Sequence, residues 1–142
     1  MDSVGKKVAG YTLIEVLTVV VIVSLLATVA VPSYQDQMML TRRADGKSML
    51  LEVMQAQERF FTENLKYTTK LNELGYKEDT ITSHEKFYLV SAMRCETSSP
   101  VSTVDINECI KLEAKPVGVQ EEDGSLFVDS YGEQLPAEKW SR

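Results

Sequence analysis

Glu15 is a lone carboxylate in a long apolar run, which suits it to pairing with an ammonium group away from water. From Val16 to Val31 no charged residue occurs, and valine dominates. An acidic side chain at the centre of a membrane-spanning helix costs roughly 2.5–3.5 kcal/mol, and less near the interface. A carboxylate and an amine that are both poorly solvated in lipid gain from meeting each other. Other reactive side chains are few. Cys95 and Cys109 are the only cysteines, and they lack the CxxC spacing of a redox or zinc site. His84 is the only histidine and lies in a polar stretch beside Glu85, where it reads as solvated. Glu121-Glu122-Asp123 has the charge to attract calcium but not the EF-hand-like spacing of oxygen ligands, so it reads as a solvated acidic turn. No serine or cysteine falls in a recognisable nucleophile–base motif. These residues give no catalytic site, no metal site and no cofactor.

Position gives Glu15 its meaning. Residues 11–31 form a 21-residue stretch interrupted only by that carboxylate. As a helix it would be roughly 31 Å long, the thickness of a bilayer's hydrocarbon core. Its valines lower helicity in water, but in lipid every backbone group must be satisfied within the segment, which a single strand cannot do. Lys6 and Lys7 on the short amino-terminal flank place that flank in the cytoplasm, and the rest of the chain across the membrane. An ordinary cleaved signal peptide or a plain uncleaved anchor are the alternatives. Thr28-Val29-Ala30 is a poor cleavage match for the first, and Glu15 is badly placed within its apolar region.

Gly10-Tyr11-Thr12-Leu13-Ile14-Glu15-Val16-Leu17, behind two lysines, resembles the prepilin signature of type IV pilins and pseudopilins. Val31-Pro32-Ser33-Tyr34-Gln35-Asp36 matches that family's stretch at the membrane exit. The short leader and aromatic mature start fit the type IVa class. The resemblance implies cleavage by prepilin peptidase between Gly10 and Tyr11 and N-methylation of Tyr11. It also implies an assembly role for Glu15, through pairing with the amino terminus of a neighbouring subunit. The partners implied are other major and minor pilins through the N-terminal helix, prepilin peptidase and the inner-membrane assembly machinery. The chain departs from the pattern twice: Tyr11 replaces the usual phenylalanine, and Ser24 stands where many major pilins have glycine. Pro32 predicts a helix kink, because it lacks a backbone donor and frees the carbonyl of Thr28.

The 142 residues allow one membrane helix and one modest globular core. The formal net charge is −6; a leader carrying Asp2, Lys6 and Lys7 would take a net +1 with it and leave −7. That balance argues against a broad nucleic-acid footprint, while a local basic patch stays open. Both cysteines fall in the exported part, where a disulfide forms and persists. Closing a loop of about 15 residues between them would be worth about 3 kcal/mol in the chain-entropy model.

After Pro32, Leu50, Val53, Met54, Phe60 and Phe61 recur at helical spacing, predicting one nearly continuous helix from about Tyr11 to Asn64. Gly46 is expected to weaken it by about 1 kcal/mol relative to alanine. Residues 65–85 read as a polar loop with a short turn at 70–74. Three strand-like runs follow at 87–93, 109–114 and 125–129, the last after an Asp123-Gly124 turn signal. An antiparallel meander with its apolar face on the helix would bury both. Arg42-Arg43 and Lys47 would face lipid headgroups, a neighbouring subunit's carboxylates or solvent. Trp140 is expected to cap the core.

The expected fold is α+β, the type IV pilin fold: a long N-terminal helix, its first half transmembrane, packed on a small antiparallel sheet. The expected parts are a leader at 1–10, a transmembrane helix at 11–32 and an exported head at 33–142. The head comprises an amphipathic helix to about 64, a loop at 65–85 and a sheet at 86–135. The head is similar to PilE-type minor pilins through residues 55–64, Tyr67-Thr68, residues 112–116, Gln120 and Trp140. The same sequence family includes ComP-type receptors that bind DNA during uptake. Relatives often staple the last strand to the carboxyl terminus with a cysteine directly before the tryptophan. Here Lys139 holds that place, and the resemblance implies that the staple has moved to Cys95–Cys109. The implied function is a structural minor pilin of the priming or tip complex, supporting assembly, twitching, adhesion and DNA uptake. It would sit in the inner membrane with a periplasmic head before assembly, and in the surface pilus afterwards. A DNA-binding pilin, a type II secretion pseudopilin and a major pilin are the competing readings.

Overall fold

The computed structural model describes residues 10–96 and 102–141. Helix α1 spans Leu13–Asn64 and contributes to two compact units, one ending at Gln37 and the other beginning at Met38.

In the first unit the helix starts on Thr12, whose Oγ1 accepts the Glu15 N–H at 3.3 Å. That is one half of a Thr-x-x-Glu capping box, and it satisfies one of the donors that a helix start leaves unpaired. The hydroxyls farther along fold back onto the helix's own carbonyls. Thr18 donates to Ile14 O at 2.9 Å, Ser24 to Val20 O at 2.7 Å and Ser33 to Val29 O at 3.1 Å. Polar side chains can therefore lie in an apolar medium without an unpaired donor. The apolar side chains of this stretch, from Leu13 to Val31, are exposed throughout.

The second unit is a helix on a sheet. Strands β1 (Thr80–Thr82), β2 (Tyr88–Arg94), β3 (Ile110–Pro116), β4 (Leu126–Asp129) and β5 (Gln134–Leu135) form an antiparallel meander in chain order. Seven residue pairs join β2 and β3, from Tyr88↔Pro116 to Arg94↔Ile110. Alternation puts Tyr88 and Val90 of β2 and Ile110, Leu112 and Ala114 of β3 on the inner face. There Tyr88, Val90, Leu112 and Ala114 join Leu126 and Val128 of β4 and Met49, Leu50 and Val53 of α1 to make the core. A short helix α2, Ala137–Trp140, closes the described chain.

Several expectations change. The sheet has five strands, and β1 lies inside the stretch read as a loop, while the short turn expected at 70–74 is there as a 3-10 turn at Leu71–Leu74. The short, polar β1 and the two-residue β5 give no usable alternation. The connection before β4 is a 3-10 helix, Gly118–Asp123, ended by Gly124 at φ +72°, and not a tight hairpin. Phe60 and Phe61 are only half-buried, so the core stripe of α1 runs through Met49, Leu50 and Val53 instead.

Gly46 has a use that helix propensity hides. A Cβ there would lie 2.9 Å from the Tyr88 ring, inside van der Waals contact. The bare backbone lets the ring press against the helix, and the Tyr88 hydroxyl then reaches the polar cluster below.

Candidate assembly segment and buried polar cluster

At the amino-terminal end, Gly10 and Tyr11 precede α1, Tyr11 is exposed, and Glu15 lies in the first helical turn with its side chain exposed. A carboxylate in that turn is favoured by the partial positive charge of the helix start. Pro32 lies within α1. Among the described residues, no cation forms a salt bridge with Glu15.

The head holds a second carboxylate in the opposite condition. Asp123, the last residue of its 3-10 helix, is buried. Arg43 of α1 grips it with two nitrogens: Nε donates to Oδ2 at 3.0 Å, and a terminal nitrogen donates to Oδ1. The Tyr88 hydroxyl donates to Oδ2 at 2.9 Å, and Gln120 Nε2 donates to the same oxygen at 3.1 Å. Gln120 Nε2 also reaches Met39 O at 3.0 Å and Tyr88 Oη at 3.1 Å. Lys139 Nζ stands 3.9 Å from Oδ1.

The titration behaviour follows from this geometry. Burial pushes Asp123 up, but the hydrogen bonds from Arg43 and Tyr88 and the nearby cations outweigh it and hold the carboxyl below its ordinary value. Its hydrogen bond keeps Arg43 protonated more firmly than usual, against the effect of burial. Burial, reinforced by the bond to Asp123, drives the Tyr88 hydroxyl far up, so it remains a donor. The pair is desolvated and bidentate, with further donors from Tyr88 and Gln120 on the carboxylate (the arrangement in which a buried ion pair is sustained).

These contacts correct the solvated reading of the acidic run. Glu121 and Glu122 are exposed, whereas Asp123 turns inward, and Arg43 holds both of its oxygens. Arg42, Arg43 and Lys47 of α1 turn to their own head. Arg43 takes Asp123, the Arg42 guanidinium lies 5.0 Å from the Phe87 ring centre, and Lys47 Nζ lies 5.7 Å from that of Trp140. Burial and the neighbouring Arg43 charge lower the Lys47 amine's affinity for its proton. Trp140 packs partly buried against the core and donates its Nε1–H to Leu135 O at 3.3 Å.

His84 is exposed, with Nε2 3.0 Å from Glu52 Oε2. Cys95 and Cys109 form a disulfide with Cα atoms 5.7 Å apart, closing the loop between β2 and β3. The Asp129 carboxylate lies within 4.8 Å of both sulfurs, but sulfurs bonded to each other offer no thiolate to a metal.

Two protein families match this chain. The one described as "Type IV minor pilin ComP, DNA uptake sequence receptor" covers residues 32–126. The one described as "Prokaryotic N-terminal methylation motif" covers residues 5–31. The chain is also similar to the type IV major pilin protein PilA of Myxococcus xanthus (strain DK1622), at 34% identity over 67 residues. That match takes in 47% of this chain and spans 30% of the length of the relative.

Proposed function

The chain belongs to the ComP-type family of type IV minor pilins, and from that premise we propose that it enters the priming or tip complex of a type IV pilus. The methylation motif and the apolar helix mark it as a membrane-anchored pilin that is assembled into a pilus. In the finer reading, residues 1–10 are a leader, 11–32 span the inner membrane and 33–142 form a head that is periplasmic before assembly. Prepilin peptidase cuts between Gly10 and Tyr11, and Tyr11 becomes the methylated amino terminus. Pro32 loosens α1 at the membrane exit by leaving the Thr28 carbonyl without its helical donor. The chain works by packing, not catalysis, and assembles with other pilins and the inner-membrane machinery.

The observation that carries this reading is the first turn of α1. Thr12 caps it, Glu15 lies in it, and the apolar side chains from Leu13 to Val31 are exposed. A surface of that kind is stable only in lipid or against other apolar helices. Inside such a bundle, Glu15 needs a cation, and a neighbour's new amino terminus supplies one. Intact mass spectrometry tests the processing step: coexpression with the peptidase should yield residues 11–142 plus one methyl, and its omission the uncut chain. A mature chain beginning at Val31 would refute the reading.

The family's description favours a second reading, direct DNA binding. The charge of the closed loop opposes it: residues 96–108 carry three carboxylates and no lysine or arginine. On β3, Lys111 Nζ lies over the Phe127 ring at 5.1 Å. Gel shifts across a salt series decide, since phosphate contacts make binding fall steeply with salt; no shift at any salt removes this reading.

A further inference from the structure

We propose that the surface around Tyr67, where α1 ends against the disulfide loop and the β4–β5 turn, docks a basic protein segment through stacked aromatic and leucine side chains. Tyr67 organises this surface. Its ring stacks on Phe61 at 4.6 Å between centres, and its N–H donates to Ile106 O at 3.1 Å. Its hydroxyl donates to Glu58 Oε1 at 3.2 Å and lies beside Ser130, the residue before Tyr131. Three separate stretches of chain thereby meet. Beside them project Leu65, 74% exposed, and Tyr131, 69% exposed.

Leu65 is the residue that folding alone does not explain. It terminates α1 in the left-handed conformation, at φ +54°, with its N–H on Phe61 O at 2.8 Å. Glycine or asparagine normally takes that place, because a β-carbon there crowds the backbone. A leucine accepts the strain and, being exposed, gains little burial in return. Strain kept at an exposed apolar residue points to a contact made outside the chain.

Charge defines the occupant. Residues 102–109 and 129–133 carry four carboxylates and no cation, and Glu58 adds a fifth, against Lys66, Arg59 and Lys111, the last paired across the strands with Asp129. An arginine- or lysine-bearing segment meets this surface favourably: its cations find the carboxylates and the exposed Tyr131 face, and its alkyl stems lie on Leu65. Nucleic acid meets the same charge with repulsion. The inference is independent of fibre incorporation, because binding is read on the free chain.

Octa-arginine amide titrated into the full-length chain in zwitterionic micelles, followed by calorimetry, tests it. Wild type should bind, and Tyr131→Ser should weaken binding about two- to fivefold, the loss of one exposed cation–π contact. Leu65→Gly should also weaken binding while its thermal midpoint stays no lower than wild type. Val119→Ser, an equally exposed apolar position on the 3-10 helix, should leave binding unchanged. Equal affinity in all four proteins would reduce the interaction to net charge and overturn the proposal. So would a lowered midpoint in Leu65→Gly, or binding of a short DNA duplex titrated alone into the wild-type chain.

Discussion

Glu15 and Asp123 are both carboxylates beside apolar side chains, and the chain treats them in opposite ways. Asp123 has Arg43, Tyr88, Gln120 and Lys139 arranged around it within one head. Glu15 has a capped helix turn beneath it and no salt bridge among the described residues. The first carboxylate is satisfied by folding. The second awaits assembly. This difference divides the chain's labour under the proposed function: the head's charges fix its own shape, and the amino-terminal charge is left for joining subunits.

Substitutions in the head should reveal the internal carboxylate first. Asp123→Ala leaves Arg43 buried without its partner, and such breaks cost about 3–5 kcal/mol. Denaturant unfolding should show a correspondingly lower midpoint, with Tyr88 and Gln120 also losing an acceptor. Unchanged stability would mean that the cluster contributes nothing. Gly46→Ala should cost less, about 1–3 kcal/mol, because the added methyl meets the Tyr88 ring and forces the helix or the ring aside. Helix propensity alone predicts a gain from this change, so the sign of the shift separates the two explanations.

Acid sharpens the contrast by a smaller, graded effect. Asp123 titrates below its ordinary value in the folded head. The stability it contributes is therefore fully present above about pH 4, the unfolded carboxyl's range, and is lost as pH falls through the lower folded value. Thermal midpoints measured down this range should fall in wild type and less steeply in Asp123→Asn. Parallel slopes would assign the acid sensitivity to other carboxylates.

The sequence showed the local parts of this molecule more clearly than the long-range ones. The apolar run predicts the first half of α1, and alternation predicts β2 and β3 to within a few residues, because each pattern repeats within a short window. β1 and β5 are too short to repeat anything. The Asp123 cluster joins residues 80 positions apart, and nothing near Glu121-Glu122-Asp123 signals that its third carboxylate turns inward. Gly46 misleads for a related reason, since its value lies in a ring contributed from β2. The proposal for Glu15 rests on the expected cost of a carboxylate in lipid, which needs no knowledge of the rest of the fold.

The central claim is that Glu15 finds its partner on another subunit, and recovery of the chain in sheared pili tests it directly. Glu15→Ala should be absent from the fibre fraction while the unfolding midpoint of its head matches wild type. Normal recovery of that variant in pili would contradict the account.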